Sequence, residues 1–378
     1  MKILIVFVFL SVLFSFFPSR SHGFYDPLEK PNNKIGIHIL FPTEIGDAAR
    51  LVNSGGGEWG YVTIPIQFSD RDLEKWQKFM DDARENKIIP ILRLSTGGDY
   101  FNTKVWRKPT ETDLLDFANF LSSLSWPTQN RYIIILNEVN RSDEWGGEAP
   151  NPEEYASLLS YAVEIFKSKS PDFFVIMGGM DNAAPQDGVN YFDNRIFIRR
   201  MHDFDETLFN RIDGFSSHSY PNPGFSQPPN YSGAGTTEYL SEKKMIDSYR
   251  NRPIPVFITE TGWSNELVSE ETISRYTDAI FKYWNNDPSV IAVTPFILNA
   301  SGVFDVFSFI HNGEQLGRYK ALEKIAKIKG EPILETRDSD SFEAQVLGKS
   351  TRNFARLPDV SGRYSEFLKM YFQVVLGI

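Results

Sequence analysis

At 378 residues the chain is long enough for one large α/β barrel or for two ordinary domains, and its composition is that of a globular protein with an aromatic share of 14%. A formal net charge of −10, with no basic stretch to offset it, argues against nucleic acid or an anionic membrane surface as a partner and suits a neutral substrate. Cysteine is absent, which excludes disulfides, a thiolate nucleophile and thiolate metal sites.

The N-terminus has the layout of a secretory signal peptide. Lys2 precedes an apolar run from Ile3 to Phe17, followed by Pro18 and the small-x-small site Ser21-His22-Gly23. The run is shorter than the roughly 20 residues of a transmembrane helix. Residues 1–23 are therefore read as a signal peptide or N-terminal anchor, with the mature chain beginning near Phe24, secreted or extracytoplasmic. Left uncleaved, residues 3–17 would attach the chain to a membrane.

From residue 34 to residue 330, strand and helix patterns alternate. The strand candidates are 35–40, 61–66, 88–94, 132–137, 173–177, 214–218, 256–259 and 291–298, mostly continuous runs rich in Ile, Val and Phe, as expected of strands covered on both faces. Between them, 70–86 places Leu73, Trp76, Phe79, Met80 and Ala83 on one helical face, and Leu114, Leu115, Phe117 and Leu121 repeat that spacing. Asn151-Pro152-Glu153-Glu154 and Ser269-Glu270-Glu271 read as helix starts, with acids placed against the dipole. Eight such units predict an α/β fold of the (β/α)₈ TIM-barrel type over residues 24–330. A doubly wound sheet would show a Gly-rich turn after its first strand, where this chain has Leu40-Phe41-Pro42-Thr43. Residues 331–378, with a charged stretch at 335–340 and an apolar end at 367–376, read as a C-terminal extension packed on the barrel.

Two of the strand patterns run into a glutamate. Strand four leads to Asn137-Glu138, followed by Trp145-Gly146-Gly147-Glu148; strand seven leads to Glu260-Thr261-Gly262-Trp263. A general acid for glycoside cleavage is a carboxyl group kept protonated near neutral pH by burial and nearby negative charge, and Asn137 could donate to a sugar hydroxyl. Alternatively, Asn137 and Glu138 cap the turn that follows. Trp263 offers a flat face to a sugar ring, or is an ordinary core residue. Strand six leads to His218-Ser219-Tyr220, whose donors could hold a neighbouring carboxylate ionised. Arg93 is the best candidate for a buried partner of Glu260. His38 and Gln67 either reach substrate hydroxyls or are satisfied structural residues.

In combination, Asn137-Glu138, His218-x-Tyr220 and Thr259-Glu260-Thr261-Gly262-Trp263 resemble the motifs of the retaining glycoside hydrolases, in the clan of (β/α)₈ barrels that carries catalytic glutamates on strands four and seven. The flavour is that of family 39, and the resemblance spans residues 34–310. It implies a covalent double displacement on a β-linked oligo- or polysaccharide, with Glu260 as nucleophile and Glu138 as acid/base. It further implies Asn137 on the 2-hydroxyl, and His218, Tyr220 and Arg93 around Glu260. Trp145, Trp263 and the cluster Tyr100, Phe101 and Trp106 are candidate sugar platforms. The clan's Trp after strand eight is missing, with Phe296 as its substitute. No metal or organic cofactor is required. The alternative is a non-catalytic exported carbohydrate-binding barrel, although binding alone has no need of two converging carboxylates. A metal-dependent hydrolase would want a His-x-His pair on strand one, where only His38 is present.

Overall fold

The computed structural model describes residues 23–336. All but the last residue of the signal segment read at residues 1–23, with its membrane alternative, and all but the first residues of the extension at 331–378 lie outside the described residues. Among the described residues no helix is long and apolar enough to cross a membrane.

Eight parallel strands pair in chain order: β1 (Gly36–His38), β2 (Gly60–Gln67), β3 (Ile88–Ser95), β4 (Arg131–Ile135), β5 (Phe173–Met177), β6 (Gly214–His218), β7 (Val256–Glu260) and β8 (Val290–Val293). A parallel bridge between Ile35 and Val293 closes the sheet on itself, helped by the His38 N–H donating to Pro295 O at 3.0 Å. The result is the (β/α)₈ barrel expected from the alternation of patterns.

Why the strands are apolar throughout follows from period two. One set of side chains, including Tyr61, Ile89, Ile91, Tyr132, Ile134, Phe174, Ile176 and Phe257, forms a cluster that plugs the barrel interior. The alternate set, including Val62, Leu92, Leu94, Ile133, Ile135, Val175 and Ile258, joins a larger cluster with the helices. Two residues further along the inward-facing register come polar groups: Thr63, Arg93, Thr259 and Thr294. Thr63 and Thr294 share a hydrogen bond of 2.8 Å, and Thr294 donates to Thr259 O at 3.0 Å. The interior thus changes from an apolar plug to a polar layer beneath the carboxyl ends of the strands.

The outer helices start where capping chemistry allows. Leu73–Glu85 is capped by Asp72, Glu111–Ser122 by Thr110, Pro152–Lys169 by Asn151 and Glu270–Asn286 by Ser269, each side chain accepting from a first-turn N–H. Three strands end sooner than their hydrophobic runs suggest, the first being β1, which stops at His38 instead of Leu40. β4 stops at Ile135 because Leu136 turns to a φ of 71°, and β8 stops at Val293, leaving Thr294–Leu298 to form part of the barrel mouth. Residues just past 330 run beside the segment that leads into β4: Gln129 N donates to Ile333 O at 2.8 Å, and Glu335 pairs with Arg131.

Candidate active site

The carboxyl ends of the strands open into a cleft of about 290 Å³. Its polar side carries Arg93, Asn137, Glu138, Arg141, Asp143, Glu144, Asp181, Asn222 and Glu260, and its apolar side Tyr100, Trp106, Tyr220, Phe225, Phe296, Phe304 and Phe307.

Glu138 and Glu260 reach this cleft from facing strands. A carboxylate oxygen of each and a ring nitrogen of His218 lie within 4.8 Å of one another. Each carboxylate has its own cation and its own donor. Glu260 is ion-paired with Arg93 through Oε1 and accepts the Tyr220 hydroxyl at 3.1 Å through Oε2. Glu138 accepts His218 Nδ1–H at 2.9 Å on Oε1 and Arg141 Nη1–H at 3.1 Å on Oε2. Close enough to share a cation, two of the three groups, the carboxylates, are nevertheless already served by guanidinium groups, which compete with any metal for the same lone pairs.

The expectation that burial and nearby negative charge keep the Glu138 carboxyl protonated is corrected. Burial alone would raise it, but the His218 hydrogen bond and the charges of Arg141 and His218 more than offset burial and the charge of Glu260, leaving it below the ordinary carboxylate range in the free protein. Burial likewise works against a charged His218, yet the Glu260 and Glu138 carboxylates hold that ring above its usual value. Tyr220 is pushed far up by burial and by the same two negative charges, so it stays a neutral donor.

Asn137 is sandwiched. Its Oδ1 accepts from Arg93, and its Nδ2 donates to Glu144 Oε1 at 3.0 Å. One N–H therefore remains for a ligand. Burial, then the charge of Glu138, pushes the Glu144 carboxyl up to about 7, against the pull of Arg93, the Asn137 bond and Arg141.

The residues expected from the sequence divide into two groups. Glu138, Glu260, Asn137, Tyr220 and Arg93 line the cleft, His218 stands directly behind Glu138, and Phe296 occupies the place expected of an aromatic floor. The expectation that His218 serves Glu260 is corrected in part: its hydrogen bond goes to Glu138, with Glu260 Oε2 at 3.7 Å. Trp145, Trp263 and His38 are corrected outright as substrate contacts. Trp145 is 0% exposed and packs edge-on against Tyr155 at 6.3 Å, because Gly146 and Gly147, both at positive φ, turn the chain and leave the indole inside. Trp263 is 3% exposed, with its N–H on Gln227 O at 2.8 Å and its ring beside Tyr276. His38 is 0% exposed beneath Phe296, and burial followed by the charges of Arg93 and His218 keeps it neutral. It lies 3.8 Å from Glu260 Oε1, below the cleft floor. Of the aromatic cluster, Tyr100 and Trp106 line the cleft, while Phe101 packs on Phe304. Gln67 donates to Gly98 O instead of facing the cleft.

Sequence reasoning missed Arg141, Asp181, Glu144 and Gly179. Arg141 had a signal in its i+3 spacing from Glu138. Gly179, after β5, accepts the Glu138 N–H at 2.8 Å, and a Cβ there would stand 2.2 Å from the His218 ring. That close approach is what the Gly178-Gly179 pair encodes.

No family model matches this sequence, and no curated protein matches it. Solved structures do. A family 39 glycoside hydrolase from Bacteroides cellulosilyticus aligns with a TM-score of 0.54 at 17% identity, covering 79% of this chain and 64% of that one. A GH5_18 protein from Streptomyces cattleya, solved with GlcNAc, gives 0.54 at 14% identity, covering 78% of this chain and 80% of that one. A GH128 endo-β-1,3-glucanase from Pseudomonas viridiflava gives 0.50 at 12% identity, covering 78% and 98%. This chain thus spans less than two thirds of the family 39 protein. At these identities the likeness is one of fold.

Proposed function

We propose that the protein is a retaining glycoside hydrolase acting on a β-linked oligo- or polysaccharide outside the cytoplasm. The observation that carries this reading is the pair of carboxylates delivered by β4 and β7, with oxygens within 4.8 Å. Oxygens this close suit the short separation of a retaining pair, in which one carboxylate attacks directly, better than the wider gap that inversion keeps for a water.

In the first step a Glu260 oxygen bonds to the anomeric carbon while the glycosidic C–O bond breaks, and Glu138 gives its proton to the departing oxygen. In the second, Glu138 takes a proton from water, which attacks the same carbon and frees Glu260. Charge supports the alternation. Ionised Glu260 pushes Glu138 toward its protonated form, and that push vanishes once Glu260 is bonded to sugar, so Glu138 favours the carboxylate when a base is needed. The free N–H of Asn137 suits the 2-hydroxyl, and the faces of Trp106 and Tyr100 suit a sugar ring. Structural relatives that include a GH5_18 protein solved with Manβ1-4GlcNAc and an endo-β-1,3-glucanase support a β-linked glycan as the substrate class. The signal-like residues 1–23 support export.

The reading is tested with Glu260→Gly and Glu138→Gln. Glu260→Gly is expected to lose nearly all turnover and to regain it with azide, giving product of inverted configuration. Glu138→Gln should lose about 10²–10⁴-fold on a glycoside with a poor leaving group and far less on an activated aryl glycoside. Near-normal activity of a Glu260→Gln variant would overturn the assignment. Binding of glycans without turnover of any aryl glycoside would favour the binding-only barrel.

A further inference from the structure

Arg141 is the one cation on Glu138 that belongs to the same loop, and its setting is specific. Nε and Nη2 grip Asp143 at 3.0 and 2.7 Å, Nη1 donates to Glu138 Oε2 at 3.1 Å, and Nη1 also stands 3.7 Å from Asp181 Oδ2. Asp181 is itself fixed, its Oδ1 accepting the Ala183 N–H at 2.9 Å and its own N–H held by Asn140 Oδ1 at 3.0 Å. Of the five N–H groups on a guanidinium, at least three are thus committed to this protein, which leaves little of Arg141 to read a sugar. Burial works against its charge, and Glu138, Asp143 and Asp181 more than restore it.

We infer that Arg141, oriented by Asp143 and Asp181, is a positioning residue that holds Glu138 as a carboxylate and so sets the pH above which the enzyme loses its proton donor. This rests on the reading of Glu138 as acid/base. The groups that face Glu138 come from every side: His218 from β6, Glu260 from β7, Asp181 from the segment after β5, and Arg141 and Glu144 from its own loop. Arg93 of β3 adds its charge through its ion pair with Glu260, and Asp143 faces the group through Arg141, so three cations stand against four carboxylates. Without Arg141 the carboxylates prevail, and Glu138 keeps its proton to higher pH. The same guanidinium favours the ionised Glu138 that the second step needs, so one residue trades the population of the protonated donor in glycosylation against the population of the ionised base in hydrolysis of the intermediate.

The test is the pH profile of kcat/KM for Arg141→Gln and Arg141→Lys, each measured with an unactivated glycoside and with an activated aryl glycoside. For the unactivated substrate, the alkaline limb of Arg141→Gln should move up by about one pH unit, the low end of what an opposite charge at this range does, because Arg141 is shared with Asp143 and partly exposed. Relative to its own plateau, the variant is then about tenfold more active than wild type well above the wild-type limb. Arg141→Lys should return the limb toward its original place. With the activated substrate, which needs no proton, the limb should be absent in all three proteins. A merely structural role would lower kcat/KM at every pH with the limb in place, and that result overturns the inference while leaving Glu138 as acid/base. A limb equally present with the activated substrate would instead remove Glu138 from that role, and the inference with it.

Discussion

Replacing Glu144 with Gln separates the electrostatics of the cleft from its chemistry. In the folded protein this carboxyl titrates at about 7 instead of 4.5, chiefly through burial and then through the charge of Glu138. The unfolded chain releases the proton near the lower value and the folded chain near the higher. Between them the folded state binds more protons, so this group's contribution to stability is complete below about 4.5 and is lost as the pH rises through 7. The whole interval corresponds to about 3 kcal/mol at roughly 1.4 kcal/mol per pH unit. Glu144 is only half-buried, and solvent in the open cleft reduces this to about 2 kcal/mol. Gln keeps the shape and the carbonyl that accepts from Asn137 Nδ2, and does not titrate. Urea unfolding at pH 4.5 and pH 8 should therefore find the variant about 2 kcal/mol more stable than wild type at pH 8, with the two nearly equal at pH 4.5. A stability difference that is the same at both pH values, or a variant less stable at pH 8, refutes the reasoning.

Two further substitutions probe the aromatic assignment and the support of His218. Trp145→Ala should cost about 3–5 kcal/mol of stability, as for any large core aromatic, whereas Trp106→Ala should leave thermal stability nearly unchanged and raise KM by roughly tenfold, about 1.4 kcal/mol of lost sugar contact. A raised KM for a fully folded Trp145→Ala would return that residue to the cleft. Gly179→Ala forces a methyl group into the His218 ring and should cost about 1–3 kcal/mol. Because the displaced ring abandons Glu138, that carboxyl loses the bond that most lowers it, and the alkaline limb of kcat/KM on an unactivated glycoside should move up; a limb left in place would show that His218 had not moved from its bond.

Much of the scaffold was legible because it depends on local rules. Runs such as Ile133–Ile135 and Val256–Ile258 are apolar on both faces only where both faces are covered, and Asn151-Pro152-Glu153-Glu154 marks a helix start by satisfying its first-turn donors. Counting strands then placed Glu138 and Glu260 on facing sides of one mouth. What escaped was geometry set by single backbone torsions. Trp145 and Trp263 follow their glutamates closely in sequence, and an indole three or seven residues beyond the glutamate carries no sign of whether it turns inward. The pairing of β6 with β7 contains a register shift between Ser217 and His218, so that His218 lies beside Glu260 instead of Thr259. Such an irregularity re-aims a side chain without leaving a compositional trace. The Arg141–Asp143–Asp181 group depends on where two loops meet.

The sharpest case lies at the end of β4, where Ile133-Ile134-Ile135-Leu136-Asn137-Glu138 reads as one uninterrupted strand. If it were, Asn137 and Glu138 would point to opposite faces, one into the barrel mouth and the other into the helical layer. Both line the same cleft. The chain achieves this by leaving the strand at Leu136 with a φ of 71° and entering the turn at Glu138 with a φ of 36°, a region that residues with a Cβ seldom adopt. Each such residue costs about 1 kcal/mol or more, and the surroundings hold both in place. Leu136 is buried, the Glu138 N–H is tied to Gly179 O, and its carbonyl accepts the Arg141 N–H at 2.9 Å. That last bond closes the turn that brings the Arg141 guanidinium onto the Glu138 carboxylate. The backbone distortion that presents the acid is therefore the same one that positions its counter-charge, and neither can be had from a straight strand.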